Sequence, residues 1–585
     1  MDDYTYLYWA GSMPLPQYLA RALDPGLQNN NYRPLRHILV LIEYNLFHSD
    51  ASYYHLVQIL IHAANALVVL AIVWRLGKRW RVAFLAAVLY VGFPVANEAV
   101  FWISDEAPLA TFFALAAVLF WLDYLQSLNR KEYLLAIGAL VLALFSKESA
   151  IILPITLFLT DHVLVHQKAT ISGLARRYAC VAVIFLVYLA IQASIQLRGV
   201  FVTEGKYSIG EHVLTNYAAY LGLLASPWGI WSSSSVDLIV ILIGLLCIGV
   251  AILKRNVAAI FLVLMVFLTI GPVVLSPFGA YARYLYLATV PISICWALAL
   301  ERAWSHWKPT NLIAIASIMV MGFVVLNGST TATAGAELSE ATRQSRVPFG
   351  DIMRQHPAFR NSTRLFLVEP PRNVSITDVA GMLFQRYGQK LSVSGTFEDG
   401  RVYTGGRLKS ERANFQDYSI AYVYYFDETN RPVQVSVDKE ATTQVTPEMP
   451  RDFEAPVRLE GYEITSSTLK RDEPLVLILY WRATGRIEKD YTVFVHLVDA
   501  NGRMVLGEDS MPRSGKERTS AWRLNQFTAD AHVLSIPADL GAGSYHLEVG
   551  LYELSTLQRL SLVDSRGAVL SDQIVIQPLV TTDLF

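Results

Sequence analysis

Cysteine is nearly absent. The chain has three in 585 residues, Cys180, Cys247 and Cys295, all inside apolar runs. Thiols scattered in this way exclude a disulfide framework and a cysteine-based zinc site, and they read as small core residues. Charge is scarce too. Asp, Glu, Lys and Arg make up 17% of the chain, against roughly 25% in a soluble protein, while 53% is hydrophobic. The formal net charge of -1 leaves no basic surplus for a nucleic-acid partner. No signal peptide precedes the first apolar span. Internal repeats and low-complexity tracts are also missing.

What is present is unevenly spread. Up to about residue 330 the chain is a ladder of apolar runs, and beyond it charges are mixed as in a soluble protein. The expected fold class is a polytopic α-helical membrane domain over 1–330. It is followed by a small α/β segment over 331–454 and a β-sandwich over 455–585. The stretch 35–47 is too short to cross a bilayer and reads as an interfacial helix. The first good span covers about 53–74. Others are expected near 83–97, 107–126, 133–147, 149–165, 177–197, 236–253, 256–276, 284–302 and 310–328.

Basic residues cluster at 75–81, at Arg130-Lys131, from Lys168 to Arg177, at Lys254-Arg255 and from Arg302 to Lys308. The positive-inside rule makes these loops cytoplasmic, provided the apolar helix near 211–226 does not cross. Asp2-Asp3, the 98–106 loop, Lys147, Arg283 and everything after about 330 then share the outer side. About ten crossings with an outside start result. One further helix upstream would give a cytoplasmic start.

After 330, strands are expected at Thr363–Glu369, Lys390–Ser394 and Ser419–Phe426, with helices at 335–360 and 376–387. From Val457 the pattern becomes all-β. Apolar alternation in Leu475–Trp481, Thr492–Val498, His532–Ile536 and Tyr545–Tyr552 is separated by turns such as Asn501-Gly502.

The chemistry-bearing residues gather on the outer side. Asp2 and Asp3 are adjacent carboxylates suited to taking a proton from an incoming hydroxyl, or to holding a divalent ion. The competing reading is a solvated, frayed terminus. Arg33, Lys147 and Arg283 are cations that suit a phosphate; snorkelling and aromatic-belt anchoring are the alternatives. Glu98, Asp105 and Glu106 bracket one loop. Ser146-Lys147-Glu148 interrupts an apolar stretch, where ionisable groups are costly. Its competing reading is an internal Lys147–Glu148 turn. His55, His62 and Asn65 share a helix face, for which interhelical hydrogen bonding is a better account than metal ligation.

The order of these motifs is specific as a set. Asp2-Asp3 is followed by Tyr32-Arg33-Pro34-Leu35, then His55 and His62 with Asn65. Pro94 with Asn97-Glu98-Ala99-Val100, Ser146-Lys147-Glu148 and Arg283-Tyr284-Leu285-Tyr286-Leu287 complete it. Over about residues 1–330 this resembles the dolichyl-phosphate-mannose protein mannosyltransferases and their bacterial relatives, within the GT-C class of membrane glycosyltransferases. The resemblance implies Asp2 or Asp3 as catalytic base, and Arg33, Lys147 and Arg283 near a lipid phosphate. Glu98, Asp105 and Tyr284 are the remaining candidate substrate-binding residues. Some relatives carry Arg and Asp where this chain has Glu106 and Pro108. Leu479-Tyr480-Trp481-Arg482, Phe494-Val495-His496-Leu497, Asp509-Ser510, Trp522 and Gly550-Leu551-Tyr552 resemble a β-sandwich appended to some bacterial members.

The expected activity is inverting transfer of a hexose, mannose by the resemblance, from a polyprenyl-phosphate carrier. The acceptor is a protein or glycan hydroxyl outside a bacterial cell membrane, and the C-terminal region is extracytoplasmic. A monophosphate donor met by cations needs no metal. A diphosphate donor would call for a divalent cation, with Asp2, Asp3, Glu98 and Asp105 as candidates. The alternatives are transfer to a lipid, or a non-catalytic scaffold displaying a sugar-binding sandwich. The family's usual first helix is expected upstream of Asp2; upstream in-frame codons with no apolar run would contradict that expectation.

Overall fold

A computed structural model describes residues 2–28, 31–48, 50–165, 170–198, 210–225, 256–275, 281–305, 349–370, 391–395, 415–426, 431–435, 437, 451–515 and 517–581, with 328, 332–333 and 335–336. The spans expected near 236–253 and 310–328, the helix at 376–387 and Cys247 lie outside the described residues. The chain divides into two compact units, one of residues 13–339 and one of residues 340–585 joined by 3–12.

Helix α1 (Asp2–Ser12) falls almost wholly with the second unit. The first unit is helical. After α2 (Leu15–Leu23), α3 (Pro34–Phe47) covers the stretch read as interfacial. The next helices are α4 (Ala51–Gly77), α5 (Trp80–Val91), α6 (Asn97–Phe101), α7 (Ala107–Ser127) and α8 (Arg130–Leu144). Then come α9 (Leu153–Leu159), α10 (Ile171–Gln196), α11 (His212–Ala225), α12 (Val257–Val274) and α13 (Thr289–Ser305). Local chemistry sets their starts. Asp50 accepts from the Ser52 amide at 3.0 Å, Asn129 from Lys131 at 2.9 Å and Thr170 from Gly173 at 3.2 Å. Pro34 and Pro108 stand in first turns, where a missing N–H costs nothing.

Among the described residues, five helical segments are long and apolar enough to cross a membrane: Ala51–Gly77, Ala107–Ser127, Glu148–Val165, Ile171–Gln196 and Val257–Val274. The run expected at 83–97 is instead two helical pieces bent by 48°, because Gly92 and Pro94 interrupt it. The run at 284–302 begins with a 3-10 turn, Ala282–Leu285, and becomes α-helix only from Thr289. The stretch at 133–165 breaks around Ser146-Lys147, before a 3-10 turn at Glu148–Ile152. Cys180 is exposed on α10 rather than buried as expected. That helix turns most of its surface outward, with Val183 and Leu186 at least 60% exposed, so an apolar run here provides outer surface rather than core.

The antiparallel run of α4, α5, α7 and α8 gives this unit two ends. At one, Arg75 pairs with Asp123, and Arg79 reaches Glu301 at 3.2 Å. At the other lie Arg33, the 98–106 loop, the Ser146–Glu148 break and the turn holding Arg283.

The second unit is rich in strands. A four-stranded sheet has the order β2 (Leu391–Gly395), β1 (Thr363–Val368), β3 (Ile420–Phe426), β4 (Pro432–Val435), with β1 parallel to both of its neighbours. Two six-stranded sheets follow. One has the order β11 (Phe527–Ser535), β8 (Pro474–Ala483), β6 (Val457–Ile464), β5 (Arg451–Phe453), β14 (Leu562–Val563), β15 (Val569–Ser571). The other has the order β10 (Met504–Ser510), β9 (Tyr491–Asp499), β12 (Ser544–Glu553), β16 (Ile574–Thr581), β7 (Thr468–Leu469), with β13 (Gln558–Arg559) beside β12. They share one buried cluster, to which β8 gives Leu475, Leu477, Leu479 and Trp481, and β9 gives Val493, Val495 and Leu497. The other face of β8, Val476, Ile478 and Tyr480, packs on Phe366 and Val368 of β1. Burial on both faces explains why β8 reads as an unbroken apolar run. Gly502 takes the left-handed φ of 77° that its turn requires. At Gly550 a side chain would come within 2.5 Å of the Phe494 ring.

His532 is fully buried here between Asp530, at 3.0 Å from Nε2, and Glu508. Trp481 Nε1 also donates to Asp530, at 3.1 Å, as does the Arg513 amide at 2.6 Å. Burial alone would lower the His532 pKa, but the two carboxylates outweigh it and push it up to about 10. A pKa raised in the folded state stabilises fully below 6.5 and is lost as pH climbs through about 10. His532→Leu should therefore destabilise this unit by roughly 3–5 kcal/mol at neutral pH, with a difference that shrinks towards pH 10. Thermal unfolding of the full chain, followed by tryptophan fluorescence, measures it; a difference unchanged between pH 6 and 10 would contradict the charged histidine.

Candidate active site

The cations and carboxylates singled out in the sequence, separated by up to 250 positions, meet at one end of the helical unit. Arg33 stands just before α3, where its fork holds two partners. Nε and Nη2 donate to the two oxygens of Glu148 at 2.9 and 2.5 Å, and Nη1 donates to Glu106 at 2.8 Å. Lys147 Nζ donates to Asp105 Oδ1 at 2.6 Å, with both side chains about 95% buried. The same Asp105 oxygen accepts the Ala107 amide at 2.7 Å, so one carboxylate both caps α7 and holds Lys147. Arg283 Nη1 donates to Glu98 Oε1 at 2.9 Å, and its backbone N–H donates to Oε2 at 3.0 Å. The Arg283 guanidinium also lies 4.5 Å from the Trp102 ring centroid, 4.7 Å from Tyr281 and 5.1 Å from Tyr284. Tyr284 links the two halves, since Lys147 sits 5.8 Å from the same ring.

Three cations thus stand against four carboxylates in one connected network. Local structure explains the convergence. The break after α8 ends one helix and the 98–106 loop leads into the start of its antiparallel neighbour α7, so both emerge at the same end. The Lys147–Glu148 turn does not close on itself: Lys147 pairs across to Asp105, and Glu148 pairs across to Arg33.

Of the residues read from sequence, Arg33, Glu98, Asp105, Lys147, Arg283 and Tyr284 are brought together. Asp2 and Asp3 begin α1, and their side chains lie outside the described residues. Glu106 and Glu148 are members that sequence reasoning did not assign to the site. Their adjacency to Asp105 and Lys147 was the available signal. Glu98 and Asp105 do not pair with each other as a metal site would need, because each already holds a cation. Among the described residues no cluster of three His, Cys, Asp or Glu side chains has metal-binding geometry.

No protein-family model matches the chain, and no curated protein matches it. Among solved structures, a similar chain is ArnT from Cupriavidus metallidurans bound to undecaprenyl phosphate. It is 12% identical with a TM-score of 0.39, and the likeness covers 73% of this chain and 89% of that one. Another is the C-terminal domain of wzt, 17% identical with a TM-score of 0.18, covering 24% of this chain and 81% of that one. Likeness at this level leaves the functional reading to the residues themselves.

Removing one partner of a buried pair strands the other charge. Lys147→Met should therefore destabilise the solubilised protein by roughly 3–5 kcal/mol, and adding Asp105→Asn should recover a large part of that loss. Thermal unfolding of both variants checks it. Equal losses in the single and double variants would contradict the pairing.

Proposed function

We propose that the chain is a GT-C type membrane glycosyltransferase. It moves a hexose, mannose by its motif order, from a polyprenyl-phosphate carrier to an acceptor hydroxyl on the outer face of the membrane. The observation that carries this is the network of Arg33, Lys147 and Arg283 with Glu98, Asp105, Glu106 and Glu148 at one end of an apolar helical unit. Ionisable groups are expensive beside a bilayer, and three cations fixed in one place need a reason.

The chemistry follows from the charges. The acceptor hydroxyl attacks the anomeric carbon as the bond to the carrier phosphate breaks. Asp2, or Asp3, takes the hydroxyl proton. Negative charge grows on the departing lipid phosphate, where fixed cations lower the barrier. Arg283 is the cation best suited to meet it. Glu98 holds it from one side, and its three aromatic neighbours orient the guanidinium without neutralising it. Arg33, held by buried Glu106 and half-exposed Glu148, and Lys147, held by buried Asp105, keep the surrounding loops and the local field in place. One displacement inverts the anomeric centre. The protein would reside in a bacterial cell membrane, with the strand-rich unit outside the cell. The scaffold alternative loses support because Trp481 and Trp522 of the strand-rich unit are both core residues, closed to a stacking sugar ring.

The test uses the full chain and a radiolabelled polyprenyl-phosphate sugar. Asp2→Asn should lower transfer by about 10²–10⁴-fold, as loss of a general base does. Arg283→Ala should lower it by on the order of 10²-fold. Undiminished transfer by Asp2→Asn would remove the base assignment, and no transfer by the wild-type chain would contradict the function.

A further inference from the structure

Helix α4 carries three polar residues on one buried face, Gln58, His62 and Asn65, and each reaches out of the helix. Gln58 Nε2 donates to the carbonyl of Ile103 at 3.2 Å and lies 3.5 Å from that of Asp105. Asn65 Nδ2 donates to the Pro108 carbonyl at 2.9 Å and to the Tyr286 hydroxyl at 3.2 Å. His62 Nδ1 lies 2.6 Å from the Tyr286 hydroxyl, and Nε2 lies 3.1 Å from the Val91 carbonyl. A carbonyl only accepts, so Nε2 carries the proton of the neutral ring and Nδ1 accepts from Tyr286. The tyrosine hydroxyl therefore accepts from Asn65 and donates to His62. The rings of Tyr90 and Tyr286 pack on His62, with centroids 5.1 and 5.6 Å away.

Apart from the Val91 carbonyl, these contacts fall on the two segments that carry the charge network. Gln58 and Asn65 hold the end of the 98–106 loop that leads into α7, at Ile103, Asp105 and Pro108. Tyr286 lies three residues after Arg283 and two after Tyr284. We propose that Gln58, His62, Asn65 and Tyr286 form a hydrogen-bonded clamp that fixes the 98–108 loop against the 281–286 turn. Resting on the transferase reading, they are positioning residues for Arg283 and for the Lys147–Asp105 pair. Polar side chains inside a spanning helix are tolerated where they bond across to other elements. Here every cross-contact but the one from His62 to Val91 goes to a segment adjoining the charges, and small displacements of such groups cost rate steeply.

The experiment compares the full chain with Tyr286→Phe, which removes one hydroxyl and keeps the ring. A second variant, Gln58→Leu, touches only the 98–108 side. Hydrogen exchange of the solubilised protein and steady-state transfer from a polyprenyl-phosphate sugar are both measured. Tyr286→Phe should speed exchange in 98–108 and 281–288 and leave 75–81 and 123–131 unchanged. Its kcat should fall about tenfold or more, while donor KM moves less than about threefold. Gln58→Leu should loosen 98–108 alone. Faster exchange throughout the helices would mark a merely structural role and overturn the proposal, as would loosened loops with unchanged kcat. If the wild-type chain transfers no sugar, the transferase reading fails; unchanged exchange in both segments would overturn the clamp in either case.

Discussion

The constraint on which the helical unit depends is the cost of charge away from water. Lys147 and Asp105 are buried together, and neither tolerates the loss of the other. Their pairing requires the break after α8 to meet the loop before α7. The Asp105 oxygen that holds Lys147 also caps α7, so the ion pair and the start of that helix are one feature. Arg33 then ties the next residue, Glu148, to Glu106, the neighbour of Asp105. Two adjacent pairs of residues are thereby locked to each other through three salt bridges. A site built this way has its fixed dipoles and charges in place before a substrate arrives, which is the condition for electrostatic catalysis.

Much of this was legible in the sequence because membrane helices restrict where charge can go. Arg33, Glu98, Asp105, Lys147 and Arg283 stood out against apolar flanks, and helix parity put them on one side. What could not be read was who pairs with whom. Lys147 and Glu148 are neighbours in sequence, yet each bonds to a residue at least 42 positions away. Nor did sequence single out Gln58, since one glutamine in an apolar helix carries no signal until its carbonyl partners are known. His55, expected beside His62 and Asn65, is not the residue that completes their contacts; Gln58 takes that place.

The strand-rich unit was legible for a different reason. Strands β8, β9 and β12 were found by their apolar patterns, and the unbroken run in β8 reflects burial on both faces. Strands β10 and β16 were missed because β10 has an exposed, polar pattern and β16 lies near the chain end with weak alternation. The His532 charge cluster was also invisible in sequence. Its members, Glu508, Asp530 and His532, come from two strands, and β10 was not among those expected.

The central claim is that Arg283, kept in place by the charge network around it, meets a lipid-linked phosphate. Native mass spectrometry of the purified full chain with added polyprenyl phosphate tests it most directly. The account predicts a one-to-one complex that Arg283→Ala weakens by at least about tenfold, a loss worth about 1.4 kcal/mol. A chain that binds no polyprenyl phosphate, or an Arg283→Ala variant that binds it as tightly as the wild type, would contradict the account.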